Sequence, residues 1–496
     1  IKENAQEKGV AIAFDSRHMS PEFARETALC MAANGIKAYI FPFLRPTPML
    51  SFALRELGCT AGVVVTASHN PPQYNGYKVY WEDGAQITAP KDKQIITEVQ
   101  AITDFAQVKT MSEEDAKAAG LYEVIGEEID DKYMEALKKL VLRPEAIKEQ
   151  ADKLKIVYTP LHGTGNIPVR RVLKELGFNN VYVVKEQELP DGDFPTVSYP
   201  NPEDKKAFTL ALKLAAEVDA DIVLATDPDA DRLGIYAKNE KTGEYESFTG
   251  NMSGMLILEY LLSQRKELGM LPENGAVVTT IVSGKMARAI AKEYNVALIE
   301  TLTGFKYIGE QIKFFEQNHD HEFLFGYEES YGCLEGTHAR DKDAVVAVMA
   351  LCEAAAYYKS KGITLCEQME KLYQKYGFYK ESLFFQTFPG AEGKAKIDGL
   401  MDALRNQPPK QVGPFKVTAL EDYKKSVRID IATGETSALT LPESNVLYFE
   451  LEDGAWFCVR PSGTEPKIKY YAGVKGTDAQ DAADKLEALS KAVVEL

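Results

Sequence analysis

The sequence lacks the features of a membrane or secreted protein. No apolar run approaches the roughly 18 residues that a membrane helix needs, and no signal-peptide pattern opens the chain. Its six cysteines never stand in C-x-x-C spacing, which favours reduced core thiols over disulfides or a zinc site. We therefore expect a cytoplasmic protein that has no membrane partner.

Positive charge is also scarce. The chain has 57 Lys and Arg against 74 Asp and Glu, and its formal net charge is -17. Nucleic-acid binding normally depends on a basic surface, so we expect no nucleic-acid partner. A small anionic ligand is compatible with this charge if basic side chains gather in a few loops.

The length and composition indicate a large globular protein. A prior of about 150 residues per domain predicts three or four domains in a chain of 496 residues. Helix and strand patterns alternate up to about residue 380 and then give way to alternating strands, which predicts three α/β units and a smaller α+β unit. We place the domains at 1–145, 146–250, 251–379 and 380–496.

Four predicted strands run directly into short polar loops. Open α/β sheets usually carry their functional sites in loops at such positions, so these segments are the candidate site. The loops are Thr66–Pro71, Asp227–Arg232, Gly326–Ser330 and Arg460–Lys467.

The loop that begins at Asp227 has the clearest physical signal. Its carboxylates at Asp227, Asp229 and Asp231 would repel one another by roughly 3 kcal/mol per pair at about 5 Å and an effective dielectric near 20. A divalent cation would relieve that repulsion, and oxygen ligands without His or Cys favour magnesium or calcium over zinc. Arg232 and Lys238 stand where an EF-hand needs Gly and Glu, which excludes that motif. A solvated acidic turn is the alternative.

The loop at Ser68 suggests a nucleophile or, alternatively, a simple helix cap. A hydrolase triad is disfavoured because the G-x-S-x-G motif is missing. Adjacent side chains of an extended loop also point apart, so we expect His69 to be badly placed to deprotonate Ser68. Lys78 is close enough in sequence to return to the same site, although it could equally be a surface lysine on a strand.

The last loop has the composition of a phosphate-binding nest. Small residues expose backbone N–H groups between Arg460 and Lys467, and such nests suit a phosphate. A β-turn between two strands is the alternative interpretation. In the third loop Glu328, Glu329 and Ser330 would suit sugar hydroxyls, but this pattern is weak by itself.

Together these motifs closely resemble the α-phosphohexomutase superfamily of phosphoglucomutases and phosphomannomutases. The resemblance spans nearly the whole chain and rests on T-A-S-H-N-P with N-G-Y-K, D-P-D-A-D-R, G-Y-E-E-S and R-P-S-G-T-E-P-K, in this order. The run G-Y-K-V-Y-W-E-D-G-A-Q and the segment Arg340–Asp343 are most similar to the branch of bacterial phosphoglucomutases and phosphoglucomutase/phosphopentomutase-type enzymes.

The resemblance implies an α/β fold class. Three α/β domains with mixed sheets and a smaller α+β C-terminal domain would surround a central cleft. In chain order the domains would carry the phosphoserine, the metal site, the sugar site and the phosphate site. The family usually begins with an F-G-T-x-G-L-R-G segment, and nothing like it precedes Lys2-Glu3-Asn4, so we expect part of the first domain to be missing from the sequence.

The resemblance also implies residue roles. Ser68 would be the phosphoserine, and an oxygen of its phosphate would bind Mg²⁺ together with the three aspartates. The implied substrate-binding residues are Glu328 and Ser330 for sugar hydroxyls, Gly304 and Lys306 for the sugar, and Arg460, Ser462, Gly463 and Thr464 for the phosphate that does not react.

We assign the remaining catalytic roles to basic side chains. Arg17 and Arg232, with Mg²⁺, would stabilise the charge of the phosphoryl-transfer transition state. Lys78 and Lys342 are candidates for proton transfer, with His69 assisting. A lysine acts as a base only if burial or nearby cations lower its pKa, and we expect this site to be cationic enough.

The expected reaction interconverts a hexose 1-phosphate and a hexose 6-phosphate, with glucose as the first choice. Glucose 1,6-bisphosphate would be intermediate and activator, and small sugar phosphates would be the partners. The alternatives are phosphomannomutase or phosphopentomutase activity, a sugar-bisphosphate synthase or phosphatase, and a phosphosugar-binding protein without turnover. The Glu-Glu-Ser triplet resembles that of glucose-using members more than the Glu-Met-Ser triplet of glucosamine enzymes.

Overall fold

The structure is a computed structural model that describes residues 4–388, 392–462 and 467–496. These ranges contain 17 α-helices and 22 strands, and the strands form four sheets. Short 3₁₀ turns occur at Phe105–Gln107, Lys205–Phe208 and Glu452–Gly454. No helix among the described residues is long and apolar enough to cross a membrane.

The first sheet is mixed and mostly parallel. Its strands are β1 (Val10–Phe14), β2 (Ala38–Ile40), β3 (Ala61–Val65), β4 (Tyr77–Trp81) and β5 (Tyr122–Val124). The accompanying helices are α1 (Ala5–Lys8), α2 (Ser20–Ala33), α3 (Thr47–Glu56), α4 (Lys91–Ala101), α5 (Glu113–Ala118), α6 (Glu127–Lys138) and α7 (Pro144–Gln150). The order is β4-β3-β1-β2-β5, with β4 antiparallel to β3. Strand β1 is buried along its whole length, as a central parallel strand with both faces covered should be.

The second sheet repeats this architecture. Its strands are β6 (Ile156–Thr159), β7 (Val181–Val183), β8 (Ile222–Thr226), β9 (Leu233–Lys238) and β10 (Tyr245–Phe248), and its helices are α8 (Asn166–Leu176), α9 (Lys185–Glu188) and α10 (Thr209–Val218). The order is β10-β9-β8-β6-β7. β8 pairs in parallel with β6 and antiparallel with β9, so the aspartate loop is the tight connection between β8 and β9.

The third sheet has four strands. They are β11 (Gly275–Thr280), β12 (Ala297–Thr301), β13 (Glu322–Tyr327) and β14 (Cys333–Glu335), in the order β12-β11-β13-β14. The helices of this region are α11 (Gly250–Glu267), α12 (Met286–Tyr294), α13 (Phe305–Asn318), α14 (Ala344–Ser360) and α15 (Leu365–Tyr376). β13 is parallel to β11 and antiparallel to β14, so this sheet is mixed as well.

The C-terminal sheet is antiparallel in each pairing of the described strands. Its strands are β15 (Phe378–Thr387), β16 (Gln411–Val412), β17 (Phe415–Asp422), β18 (Val427–Asp430), β19 (Thr436–Ala438), β20 (Leu447–Leu451), β21 (Trp456–Pro461) and β22 (Lys467–Gly476). Helices α16 (Gly393–Asn406) and α17 (Ala479–Val494) contribute Met401 and Leu489 to the core that Phe449 and Phe457 form on the sheet.

The predicted fold class is confirmed by these four sheets, three mixed α/β and one antiparallel α+β. The elements group into two compact units. The first comprises residues up to Thr279, Ala291–Ile299 and Gly304–Met369, and the second comprises Thr280–Ile290, Glu300–Thr303 and Glu370–Leu496. The four domain boundaries that we placed from the sequence stay a prediction.

Candidate active site

Ser68 lies in the turn that follows β3, with its backbone in the left-handed region at φ 51°. Its amide donates to Thr66 Oγ1 at 2.8 Å. Its Oγ donates to Asp227 Oδ2 at 2.9 Å, and His69 Nδ1 lies 3.1 Å from the same oxygen. The turn therefore brings the predicted nucleophile against the predicted metal loop.

The expectation that His69 points away from Ser68 is wrong. The left-handed backbone at Ser68 breaks the extended geometry that would separate neighbouring side chains, and the imidazole reaches the hydroxyl. Burial lowers the pKa of His69 well below its usual value, and Arg232 lowers it further. A neutral imidazole therefore lies within hydrogen-bond distance of the Ser68 hydroxyl.

The three aspartates are fully buried in the β8–β9 connection. One carboxylate oxygen from each lies within 4.8 Å of the other two. Two further oxygens, Asp229 Oδ1 and Asp231 Oδ1, are buried without a hydrogen-bond partner in the described part of the chain. Three hard oxygen donors with unused acceptors fit a magnesium or calcium ion.

The electrostatics of the turn also fit a cation. Burial raises the pKa of Asp227 well above its usual value, and the charges of Asp229 and Asp231 raise it further. Burial acts on Asp231 too, but Lys342, with other cations, more than offsets it and lowers the pKa of that carboxyl. The raised pKa of Asp227 shows that the repulsion among the three carboxylates is not fully relieved by the neighbouring side chains, and a bound cation would relieve it.

Lys78 and Lys342 both reach the aspartates. Lys78 Nζ lies 2.7 Å from Asp229 Oδ2 and 3.2 Å from Asp231 Oδ2, and Lys342 Nζ lies 3.0 Å from Asp231 Oδ2. The alternative of a surface lysine on a strand therefore does not apply to Lys78. Both amines come from segments far from the aspartates in sequence and meet them in the first unit.

The expectation of lowered lysine pKa values is wrong for this arrangement. Burial alone would lower the pKa of Lys78, but Asp229 and Asp231 outweigh it and raise the pKa above its usual value. The pKa of Lys342 is likewise raised, because Asp231 and Asp341 outweigh burial. Carboxylates are the dominant charged neighbours, so both amines stay protonated in this arrangement.

The two predicted arginines differ in what they face. Arg232 is beside the aspartates, with Nε 3.8 Å from Asp231 Oδ1 and Nη1 2.5 Å from Glu203 Oε1. Arg17 is fully buried, and both of its terminal nitrogens donate to backbone carbonyls of residues 68–74. Arg17 is therefore bound to the loop that carries Ser68, and its role in stabilising the charge of the transition state stays a prediction.

The sugar-binding candidates of the third sheet lie in adjoining loops. Glu328 follows β13 and is buried, and its Oε1 accepts from the Gly304 amide at the start of α13 at 2.8 Å. Burial raises the pKa of Glu328 while Lys342 opposes the shift. Ser330 is half-buried in the loop after β13. Lys306 is half-buried in the first turn of α13, and its Nζ lies 5.2 Å from the centre of the Tyr307 ring.

The phosphate-binding candidates lie in the second unit. Arg460 is near the end of β21, opposite Lys469 on β22. The Ser462 amide donates to the Lys467 carbonyl at 2.7 Å and closes the hairpin. Gly463 and Thr464 lie outside the described residues.

Sequence reasoning missed several supporting side chains. Thr47 Oγ1 donates to Asp229 Oδ2 at 2.8 Å across 182 positions of sequence. Tyr80 donates to Asp341 Oδ2 at 2.6 Å, which ties β4 to the segment that carries Lys342. Thr47 also stands shortly after a strand, so the rule that located the other loops could have found it.

The candidate side chains of the first unit therefore form one cluster around three buried carboxylates. A hydroxyl, an imidazole and three carboxylates meet two ammonium groups and a guanidinium. Such a group of side chains can hold a divalent cation and can stabilise the negative charge of a phosphoryl group beside the hydroxyl.

Comparison with known proteins extends over the whole chain. The phosphoglucomutase/phosphomannomutase models match in order, with α/β/α domain I at residues 1–105, domain II at 131–242, domain III at 249–376 and the C-terminal domain at 407–489. A phosphoglucomutase of Staphylococcus epidermidis is 40% identical over 467 residues, which is 94% of this chain and 83% of that protein. A phosphoglucomutase of Staphylococcus aureus is 38% identical over 481 residues, 97% of this chain and 84% of that protein.

A solved structure shares the fold. The Paramecium phosphoglucomutase pp63/parafusin, in its open form, superposes with a TM-score of 0.70 at 19% sequence identity. The superposition covers 100% of this chain and 88% of that one.

Proposed function

The chain belongs to the phosphoglucomutase/phosphomannomutase family, and we propose that it interconverts glucose 1-phosphate and glucose 6-phosphate. Family membership makes it an enzyme of the phosphosugar mutase type, an isomerase that moves a phosphoryl group. Glucose is supported by the names of its relatives, which are 37–40% identical.

One observation carries the proposal. Ser68 Oγ lies 2.9 Å from Asp227 Oδ2, inside a cluster that also holds the two protonated lysines. A serine that serves only as a helix cap needs none of these charges. A serine that carries a phosphoryl group needs cations and a metal site beside it.

The proposed reaction has two phosphoryl transfers. Phosphorylated Ser68 gives its phosphoryl group to the free hydroxyl of the bound sugar phosphate, so the bond from phosphorus to Ser68 Oγ breaks and a bond to the sugar oxygen forms. The bisphosphorylated sugar then turns around, and its other phosphoryl group returns to Ser68. The enzyme is phosphorylated again at the end of the cycle.

The residues near Ser68 take distinct roles in this proposal. His69, which is neutral and 3.1 Å from Ser68 Oγ, passes the proton of the attacking sugar hydroxyl to Ser68 Oγ as that oxygen leaves, and passes the Ser68 proton back when Ser68 is phosphorylated again. Lys78 and Lys342 are protonated and supply protons to oxygens that become negative. Arg232 stabilises the charge of the phosphoryl group in the transition state.

Magnesium and the bisphosphate are part of the proposal. The buried carboxylates Asp227, Asp229 and Asp231 would hold Mg²⁺, together with an oxygen of the phosphate on Ser68. When bound, the ion supplies positive charge that stabilises the phosphoryl group as its charge spreads. Glucose 1,6-bisphosphate would phosphorylate any enzyme molecule that has lost the phosphate from Ser68.

Substrate recognition is assigned to the other loops. Glu328 and Ser330 would bind sugar hydroxyls, with Gly304 and Lys306 beside them. The phosphate that does not react would be bound by Arg460, Ser462, Gly463 and Thr464. The four domains placed at 1–145, 146–250, 251–379 and 380–496 would then carry the phosphoserine, metal, sugar and phosphate sites.

A coupled assay tests the proposal. Glucose 1-phosphate is supplied with Mg²⁺ and a trace of glucose 1,6-bisphosphate, and glucose 6-phosphate formation is followed through its dehydrogenase. The parent should be active, and its mass should show one phosphate that maps to Ser68. Ser68→Ala should lose both, whereas Ser437→Ala at an exposed serine of β19 should lose neither.

The same assay separates the alternatives. Turnover of Ser68→Ala at the parental rate would rule out the phosphoserine mechanism. Faster conversion of mannose 1-phosphate or ribose 1-phosphate would transfer the assignment to phosphomannomutase or phosphopentomutase. Net bisphosphate formation or phosphate release would indicate a synthase or a phosphatase. Tight binding of glucose 6-phosphate without turnover of any of these sugars would indicate a binding protein.

A further inference from the structure

A buried arginine donates hydrogen bonds to the backbone of the loop that carries Ser68. Arg17 Nη1 donates to the carbonyls of Pro71 and Tyr74 at 2.9 and 3.0 Å, and Nη2 donates to those of Ser68 and Asn70, both at 2.5 Å. Four carbonyls within seven residues thus share one guanidinium, whose planar, rigid donors are suited to fixing several acceptors at once.

A second set of bonds holds the arginine and the serine amide together. Asp15 is buried, with Oδ2 3.2 Å from Arg17 Nε and 2.6 Å from Thr66 Oγ1. Asp15 Oδ1 accepts from the Arg17 amide and from Ser20 Oγ. Thr66 Oγ1 in turn accepts from the Ser68 amide at 2.8 Å. One carboxylate is therefore linked to both sides of the residue that carries the nucleophile.

The arginine is closed off from solvent. Its guanidinium lies 5.0 Å from the centre of the Phe194 ring, and its side chain has no solvent exposure. The segment before Phe194 fits closely, because a Cβ at Gly192 would lie 2.8 Å from the His18 amide nitrogen. The guanidinium is therefore fixed against the groups it binds, while its charge also acts on Asp227 and Asp229.

These contacts hold Ser68 in a backbone conformation that non-glycine residues rarely adopt. Ser68 has φ 51°, a left-handed backbone that costs a non-glycine residue on the order of 1–2 kcal/mol. Such a conformation persists only when its surroundings determine it. The same conformation brings Ser68 Oγ to Asp227 and His69 Nδ1 to Ser68 Oγ.

We propose that Asp15, Arg17 and Thr66 form a backbone anchor that holds Ser68 in its reactive conformation, so that Arg17 is a positioning residue for phosphoryl transfer. The anchor rests on the proposed function, because it assumes that Ser68 is the phosphorylated residue. It adds Asp15 and Thr66 to the residues that position Ser68, and it gives Arg17 a positioning role beside the effect of its charge.

Two substitutions distinguish the positioning role of the anchor from an effect of the Arg17 charge. Thr66→Val removes the hydroxyl that bridges Asp15 and the Ser68 amide, keeps the side-chain shape and changes no charge. Arg17→Lys keeps the charge but cannot make four hydrogen bonds. The anchor predicts that kcat for glucose 1-phosphate falls about 100-fold in both, the usual effect of a small misplacement of a reacting group. KM should stay within about threefold, because both side chains are buried and bind groups of the protein itself.

Two further variants are controls. Thr66→Ser keeps the hydroxyl and should restore kcat to within about threefold of the parent. Arg405 is a buried arginine of the second unit, 3.1 Å from both oxygens of Asp422. Arg405→Lys should lower the melting temperature as Arg17→Lys does, without the loss of kcat. If Arg17→Lys fails to fold, the comparison of Thr66→Val with Thr66→Ser carries the test.

Amide hydrogen exchange of residues 66–76 gives a readout that does not need activity. The anchor predicts faster exchange of this loop in Thr66→Val than in the parent. A folded Thr66→Val that keeps the parental kcat, or a loop whose exchange is unchanged, overturns the anchor. A parent without phosphate on Ser68, or an active Ser68→Ala, instead overturns the proposed function, and the exchange measurement still judges the anchor.

Discussion

Glu335 should make the first unit less stable as the pH rises. This carboxyl on β14 is buried, and its Oε1 lies 3.4 Å from Arg265 Nη2. Burial raises its pKa from 4.5 to about 8, against the charge of Arg265 and with a further contribution from Glu353. The folded protein therefore keeps Glu335 protonated at pH values where the unfolded chain has ionised.

The direction and size follow from proton linkage. The unfolded chain releases the proton above about pH 4.5 and the folded protein only above about pH 8, so stability is full at low pH and declines between these values. Each pH unit in this window corresponds to 1.36 kcal/mol. From pH 5 to pH 8 the parent should lose about 4 kcal/mol through this group.

Glu335→Gln tests the reasoning because it keeps the shape of the protonated acid and cannot ionise. Urea unfolding at pH 5, 6.5 and 8 can be followed by Trp81 fluorescence in a Trp456→Phe background, since these are the two tryptophans of the chain. The stability of Glu335→Gln relative to the parent should grow by about 4 kcal/mol from pH 5 to pH 8. Glu322→Gln, at an exposed glutamate of the adjoining strand β13, should follow the parent at each pH.

Parallel stability curves for Glu335→Gln and the parent would refute the argument. They would mean that Glu335 is ionised in the folded protein and that its ion pair with Arg265 outweighs burial. A parent that gains stability relative to the variant as the pH rises would refute it more strongly, because the sign itself would be reversed.

Three further predictions concern the site. Lys78→Met should lower kcat in the coupled assay by about 100-fold or more, because it removes a proton donor of the cluster; near-parental kcat would exclude that role. Gly163→Ala should weaken Mg²⁺ binding in calorimetric titration by about 10-fold or more, since its Cβ would lie 2.4 Å from Pro228 Cα in the aspartate turn. Gly399→Ala, whose Cβ meets nothing within 4 Å, is the control that should bind as the parent does. Removing divalent cations with EDTA should abolish activity and added magnesium should restore it; activity that survives EDTA would remove the cation from the mechanism.

The location of the candidate site could be predicted from the sequence, because strands and polar loops leave local signals. The loops at Ser68, Asp227 and Glu328 each follow a strand, and the structure has β3, β8 and β13 ending directly before or close to them. The fold class could be predicted from the alternation of helix and strand patterns along the chain. These predictions need only the periodicity of apolar residues and the chemistry of short segments.

The geometry inside the site could not be predicted in this way. The position of His69 depends on a left-handed backbone at Ser68, which the residue type disfavours and distant contacts impose. Arg17 binds carbonyls more than 50 positions away, and a backbone carbonyl leaves no trace in the side-chain pattern. The lysine pKa values depend on which charges lie nearest in space, so counting charges along the chain predicted the wrong direction.

The aspartate cluster has a consequence for how the first unit unfolds. Its negative charges lie in one turn, but two of the cations that balance them come from Lys78 and Lys342, which are separated by most of the unit's sequence. Loosening the Lys78 segment would leave the buried Asp229 without its ammonium partner, and loosening the Lys342 segment would take one of two ammonium groups from Asp231. Removing the partner of a buried charge costs several kcal/mol. Partial opening near the site is therefore penalised, and segments that are remote in sequence should exchange their protected amides together rather than one at a time.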